Sequence, residues 1–189
     1  MRLIRILLLA TCVAACAAPG PREPDRYFLL AGAAAPDGRP RQGPPIAVAP
    51  TSASGFYDTQ EIAYSRAPGT RAYYRFNFWT ERPQRSVQAQ LAARLESPGT
   101  KPALRLRTHL DEIYHDAAEP PGVARIAITA DVLDPATGAV LARRTFAGSA
   151  PAASYDAPGA VRGFNEALAA LIRDIEAWVD AEVRPKSPR

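Results

Sequence analysis

The sequence predicts a single α+β domain, a mostly antiparallel sheet with two main helices packed on one face. Three observations predict it. Apolar residues recur at helical spacing in two stretches: Val87, Leu91 and Leu95, then Val161, Phe164, Leu168, Leu171, Ile172, Ile175 and Val179. Alternation of apolar and polar residues from Leu104 to Leu110 and from Ile126 to Val132 marks half-buried strands. The turn sequence Asp134-Pro135-Ala136-Thr137-Gly138 joins the second of these to a further strand, and consecutive strands so joined are antiparallel. A chain of 189 residues that is 47% hydrophobic and 22% charged has room for one core and is too apolar to be disordered throughout.

The first fifteen residues have the outline of a secretory signal. Arg2 and Arg5 form a positive region, and an apolar run continues through Val13. That run is short of the ~20 apolar residues a bilayer span needs, and no later run is long enough. It ends in Val13-Ala14-Ala15-Cys16, which fits a bacterial lipobox, with Cys16 as the lipid-attachment residue. Cys12, after Leu9-Ala10-Thr11, fits less well because threonine precedes it; an ordinary signal with an incidental cysteine is the alternative. Cleavage before Cys16 would remove Cys12 and leave one cysteine with its sulfur in a thioether, so no disulfide, catalytic thiol or cysteine metal site is expected. Several acyl chains, each buried methylene contributing about 0.8 kcal/mol, would hold the protein on a membrane. Ala17 stands where aspartate directs inner-membrane retention, so the expected location is the outer membrane, facing the periplasm. Loss of Arg2 and Arg5 takes the formal charge from +4 to +2, which gives no reason to expect nucleic acid as a partner.

Four regions follow: a leader over 1–15, the lipidated cysteine and a flexible tether over 16–26, a domain over 27–181, and a disordered tail over 182–189. The tether holds three prolines and spans at most roughly 35 Å. Tyr27-Phe28-Leu29-Leu30 suits a first strand, Ala31 to Pro45 a loop, and Ile46-Ala47-Val48-Ala49 a second strand before Pro50. Glu61 to Tyr64 and Arg71 to Trp79 are expected as a hairpin or as neighbours. Simple alternation in the second puts Tyr74, Phe76 and Phe78 in the core and Tyr73, Arg75, Asn77 and Trp79 on the other face. Trp79 and Trp178, near the ends of elements, nonetheless read as packing residues ahead of partner contacts. The first helix starts near Thr80, tolerates Pro83 in its first turn and stops at Ser97-Pro98-Gly99. A strand from Ala139 to Phe146 and a helix from Pro158 to Ala181 complete the domain.

The chemistry on offer is sparse. His109, Asp111, Glu112, His115 and Asp116 form the one dense group of metal-ligand types, and in an unbroken strand 109, 111 and 115 would share a face. The segment runs into Ala117-Ala118-Glu119-Pro120-Pro121, so a solvated strand end is the preferred reading and no metal is assigned. There is no Gly-x-Ser-x-Gly elbow and no phosphate-binding glycine loop ending in Lys-Ser or Lys-Thr. Both histidines lie on one strand, and nothing in the sequence nominates a serine to join them. No catalytic residue, cofactor or enzyme activity is therefore expected.

The lipobox, Tyr27-Phe28-Leu29-Leu30, Ile46-Ala47-Val48-Ala49-Pro50, Glu61-Ile62-Ala63-Tyr64, Phe78-Trp79-Thr80-Glu81, Phe164-Asn165-Glu166-Ala167-Leu168 and Ile175-Glu176-Ala177-Trp178 occur in an informative order. Together they resemble the ABC-type transport auxiliary lipoproteins, the family of paraquat-inducible protein C. The resemblance implies an outer-membrane component of an Mce-type lipid transport system. It would dock a periplasmic MCE-domain protein and, through it, an inner-membrane ABC permease and ATPase, with a ring of copies as one arrangement. Exposed strand edges and the side chains around Tyr57, Arg71 and Tyr73 are the expected docking surface. The alternative is a periplasm-facing lipoprotein that itself shields a lipid acyl chain; an envelope hydrolase has least support.

Overall fold

The computed structural model describes residues 23–32, 44–96 and 99–182. Cys16, the leader, most of the tether, the centre of the first long loop and the tail beyond 182 lie outside these residues.

The architecture is organised by the last helix, called α2 here (Ala157–Glu182). It begins where the Asp156 carboxylate accepts the Gly159 N–H at 2.8 Å, satisfying one of the amides that a helix start leaves without a partner. All seven residues of the expected stripe are buried, and Trp178 joins them. They cover β7 (Val123–Leu133) and β8 (Val140–Pro151). Close approach is possible because Gly163 has no side chain: a Cβ there would lie 2.9 Å from Ala124 Cβ and 2.9 Å from the Pro151 carbonyl. The other helix, α1 (Pro83–Leu95), has proline at its start, where no intrahelical N–H is needed, and buries Val87, Leu91 and Leu95 completely. An Arg94–Glu176 ion pair of 3.1 Å ties the helices together on their common side of the sheet.

The sheet order is β1 (Arg26–Phe28), β5 (Ala72–Trp79), β4 (Glu61–Ser65), β6 (Leu104–Asp116), β7, β8. Strands β6, β7 and β8 form two long antiparallel ladders, and β4 and β5 pair antiparallel. The shorter pairings are parallel: β1 adds to β5, while β2 (Ile46–Val48), β3 (Ser52–Ala53) and the end of β4 follow one another along β6. β2 and β3 are separate pieces partly because Pro50 has no N–H to donate to a ladder. β3 and the 3-10 turn after it, Gly55–Tyr57, occupy a stretch to which the sequence assigned no element.

Three expectations need correction. In β5 the core residues are Asn77 and Trp79, while Tyr74, Phe76 and Phe78 are only half-buried. The pairing moves from Ala63↔Tyr73 to Glu61↔Phe78, so β5 contains residues without ladder partners and simple alternation fails. Trp79 thereby packs edge-on against Phe164 of α2, with centroids 5.6 Å apart. The last strand continues past Phe146 to Pro151, through Ala-Gly-Ser-Ala residues of low strand preference that lie under α2. Finally, β6 carries a bulge between Leu110 and Glu112, which resets its alternation so that Leu110, Ile113 and His115 are all buried.

Candidate partner interface

The three residues nominated from sequence, Tyr57, Arg71 and Tyr73, lie in one cluster. The 3-10 turn delivers Phe56 and Tyr57. The turn Ala67-Pro68-Gly69-Thr70 delivers Arg71 just before β5. The Arg71 guanidinium donates to the Tyr57 hydroxyl at 3.0 Å and the Thr70 carbonyl at 2.8 Å, and lies 3.5 Å from the Glu112 carboxylate. Its centre sits 3.6 Å from the centroid of the Tyr114 ring, a cation–π contact. The Tyr73 hydroxyl donates to the Phe56 carbonyl at 2.6 Å, and the two rings stack at 4.4 Å. Burial, and then the charge of Glu61, push the Tyr73 pKa up, so this hydroxyl keeps its donor proton. Phe56 and Tyr114 were not singled out from sequence. A Gly-Phe-Tyr triplet in a loop was the available signal for Phe56, but Tyr114 is recognisable only once β6 is folded.

The cluster lies on the sheet face without helices. Leu110 and Ile113 point into the core, so Glu112 and Tyr114 face the other way. Tyr57 is buried and Arg71 largely engaged, which leaves Phe56, 38% exposed, as the most accessible ring of the group. The same face carries ion pairs along β6–β8: Asp116–Arg125 at 2.8 Å, and Asp131 between Arg107 at 2.6 Å and Arg143 at 2.5 Å. The hydrogen bond from Arg143, then that from Arg107, holds the Asp131 carboxyl at about 2, against the opposing effect of burial. Both arginines are more than half exposed, so these pairs order the face more than they stabilise it.

Of the residues considered as metal ligands, His109 and Asp111 line one cleft, while the bulge in β6 turns His115 to the opposite, buried side. His109 is on the helix-free face, where its ring nitrogens lie 2.8 Å from Ser52 Oγ and 3.2 Å from Ser54 Oγ in a cleft of about 290 Å³. The structure thus supplies serine neighbours that the sequence did not nominate. The geometry does not form a Ser-His-Asp relay, because Asp111 accepts from Thr129 at 2.8 Å while His109 is bounded by two hydroxyls. His115 is fully buried, correcting the expectation of a solvated strand end. Among the described residues, no group of three or more His, Cys, Asp or Glu side chains could hold a metal ion.

His115 is held from both sides. Its Nε2 lies 3.0 Å from the Pro121 carbonyl, which can only accept, so Nε2 carries the proton and Nδ1 accepts from the Tyr74 hydroxyl at 2.7 Å. Burial pushes its pKa below 6.5, outweighing the Pro121 carbonyl and the charges of Asp116 and Asp156. With the folded value below the unfolded one, the unfolded chain binds the extra proton first. The stability contributed by neutral His115 is therefore present above pH 6.5 and lost as pH falls below it. The thermal midpoint should drop between pH 7.5 and 5.5, and His115→Gln, which keeps a donor and an acceptor but cannot titrate, should flatten that drop. Equal pH slopes for the two proteins would contradict the assignment.

The ABC-type transport auxiliary lipoprotein component family model matches residues 27–176. Protein XCC0632 from Xanthomonas campestris has the same fold, with a TM-score of 0.73 at 19% identity over 82% of this chain and 95% of its own. A crystal structure of an uncharacterized protein matches with a TM-score of 0.65 at 11% identity, over 83% of this chain and 99% of its own. No curated protein sequence matches. At these identities the two structures speak for the fold, whereas the family match spans most of the chain, including β2 to β8, α1 and all of β1 but its first residue. The chain belongs to the ABC-type transport auxiliary lipoprotein family.

Proposed function

We propose that the protein is an outer-membrane-attached component of an Mce-type ABC lipid transport system, where it docks the periplasmic MCE-domain protein. Through that bridge it would work with an inner-membrane permease and ATPase. Family membership carries the reading, and the leader ending at Cys16 agrees with it. In this scheme 1–15 is removed, Cys16 is acylated, 17–26 is the tether and the domain of 27–181 is the mooring. ATP is hydrolysed by the partner, and this chain contributes binding alone.

The helix-free face is the docking surface in this proposal, with Phe56, Tyr57, Arg71 and Tyr73 at its centre. An exposed ring beside a preordered arginine is the composition found in protein interface hot spots. β8 is the other contributor: among the described residues its outer edge has no strand partner, and Val140 and Leu141 are exposed there. Charge reversal by Arg71→Glu should reduce co-purification of the MCE-domain protein from membranes by about tenfold or more. Because Arg71 also braces Tyr57, Phe56→Asp, which changes a more exposed side chain, should have the same effect with the thermal midpoint little altered. Unchanged co-purification in both variants would remove this surface from the proposal.

The alternative, shielding of an acyl chain within this domain, requires space between sheet and helices. Trp79, Phe164, Leu168, Leu171 and Ile172 fill that layer and are at most 1% exposed. Docking is therefore the better supported reading, and it expects no stoichiometric phospholipid in extracts of the purified protein.

A further inference from the structure

The two most exposed large hydrophobic residues of the described chain follow directly on the tether. Tyr27 is 61% and Leu29 68% exposed. β1 pairs in parallel register with β5, placing Tyr27 beside Phe78 and Phe28 beside Trp79. Phe28 packs against the core beside buried Trp79, Tyr27 lies with Phe78 on the other side of the sheet, and Leu29, just past the end of β1, is exposed at the same sheet edge beside α1. Tyr27 stacks on Phe78 at 5.6 Å, so the outward side chains make a small aromatic and aliphatic patch. Leu29 also borders a cleft of about 350 Å³ lined in part by Leu30, Ala31, Ala89 and Gln90. This patch occupies one edge of the sheet; the exposed Val140 and Leu141 lie on β8, at the opposite edge.

We infer that the β1 patch of Tyr27, Leu29 and Phe78 seats the domain on the lipid surface that holds its anchor. The inference rests on acylation of Cys16 within the proposed function. The argument for lipid as the occupant is the chain that leads to the patch. Ten residues separate Cys16 from Tyr27, so even when extended they keep the patch within roughly 35–40 Å of the acyl chains. A bilayer held that close is present at high effective concentration whatever else is nearby. The residue types agree with a seat at headgroup depth, where tyrosine places its ring in the apolar zone and its hydroxyl in water. That depth also suits the outer backbone edge of β1, which has no strand partner among the described residues and which water and lipid headgroups can hydrogen-bond, whereas the hydrocarbon core could not.

Seating through β1 orients the rest of the molecule. The sheet is six strands wide along its main order, so β8 stands about 24 Å from β1. Tyr73, in the proposed docking cluster, is on the same strand as Phe78 and no more than roughly 17 Å from it. A partner on the helix-free face would therefore lie close to the membrane surface while the β8 edge faces away.

The test uses the full-length acylated protein in phosphatidylcholine vesicles whose lipids carry bromine high on the acyl chains. The processed chain has no free thiol, so Leu29→Cys or, separately, Leu141→Cys can be labelled with an environment-sensitive fluorophore. Both positions are exposed, and both variants should keep the parent fold by circular dichroism. The expected result is flotation of both proteins with the vesicles and several-fold stronger bromine quenching at position 29 than at 141. Equal, weak quenching at both sites in floated protein would overturn the seat while leaving the anchor intact. A blue shift at 29 without quenching would place a protein, such as a second copy, on β1 and would also overturn it. Failure to float would overturn the anchor and the seat together.

Discussion

Trp79→Ala is expected to lower stability by about 3–5 kcal/mol and the thermal midpoint by roughly 10 °C in a domain of this size. Trp79 is 1% exposed at the end of β5, between that strand and α2, with its ring against the edge of Phe164. Truncation would remove most of a large apolar side chain from a layer where Ile62, Leu91 and Phe164 are also fully buried. Those neighbours belong to the sheet and to both helices, so the site cannot collapse without moving elements against each other. Phe76→Ala, three residues earlier and half-buried, should cost much less. Urea unfolding of the two variants decides between the faces of β5: if Phe76→Ala were the more damaging, the core would lie on the side that simple alternation predicts.

Gly122→Ala is the second large effect, of roughly 2–4 kcal/mol. Gly122 has φ of +87°, a conformation that costs an L-residue about 1–2 kcal/mol. It is also pressed against the cage around His115: a Cβ would lie close against His115 Nε2 and 2.7 Å from the Asp116 carbonyl. One of them must move, and displacing the imidazole breaks its bond to Pro121 and strands the Tyr74 hydroxyl. Burial pushes the Tyr74 pKa up to about 12, so that hydroxyl stays protonated and needs an acceptor. Gly138→Ala is the control. Its φ is +71°, but nothing lies within 4 Å of the added carbon, so only the backbone cost applies. Denaturation midpoints that fell equally in the two variants would show that the His115 cage yields freely.

The contrast between these two glycines shows where sequence information stops. Both stand in turns between strands and are equivalent in local terms. The difference lies in what the fold brings against them: open solvent at Gly138, a buried imidazole at Gly122. The docking cluster follows the same logic. Tyr57, Arg71 and Tyr73 could be nominated from composition, since aromatic and arginine residues near strand ends are candidate contacts. The Arg71–Tyr57 bond joins residues fourteen apart that only the fold brings together, and the contacts of Arg71 with Glu112 and Tyr114 depend on the bulge in β6 that sends those two side chains to the helix-free face.

By itself the sequence determined the longer elements and their order, though not β3 or the 3-10 turn after it, because helical and strand periodicities are local and the stripes in α1, α2, β6 and β7 are long enough to read. It determined as well the leader-like start with its cysteine and the family resemblance, which rest on order along the chain. The tertiary structure alone decided which face of β5 is core, how far β8 runs, where His115 goes, and which apolar side chains are left outside at β1. Each depends on pairing register, and register is set by contacts between residues distant in sequence. One extra residue in a strand turns every later side chain to the other face.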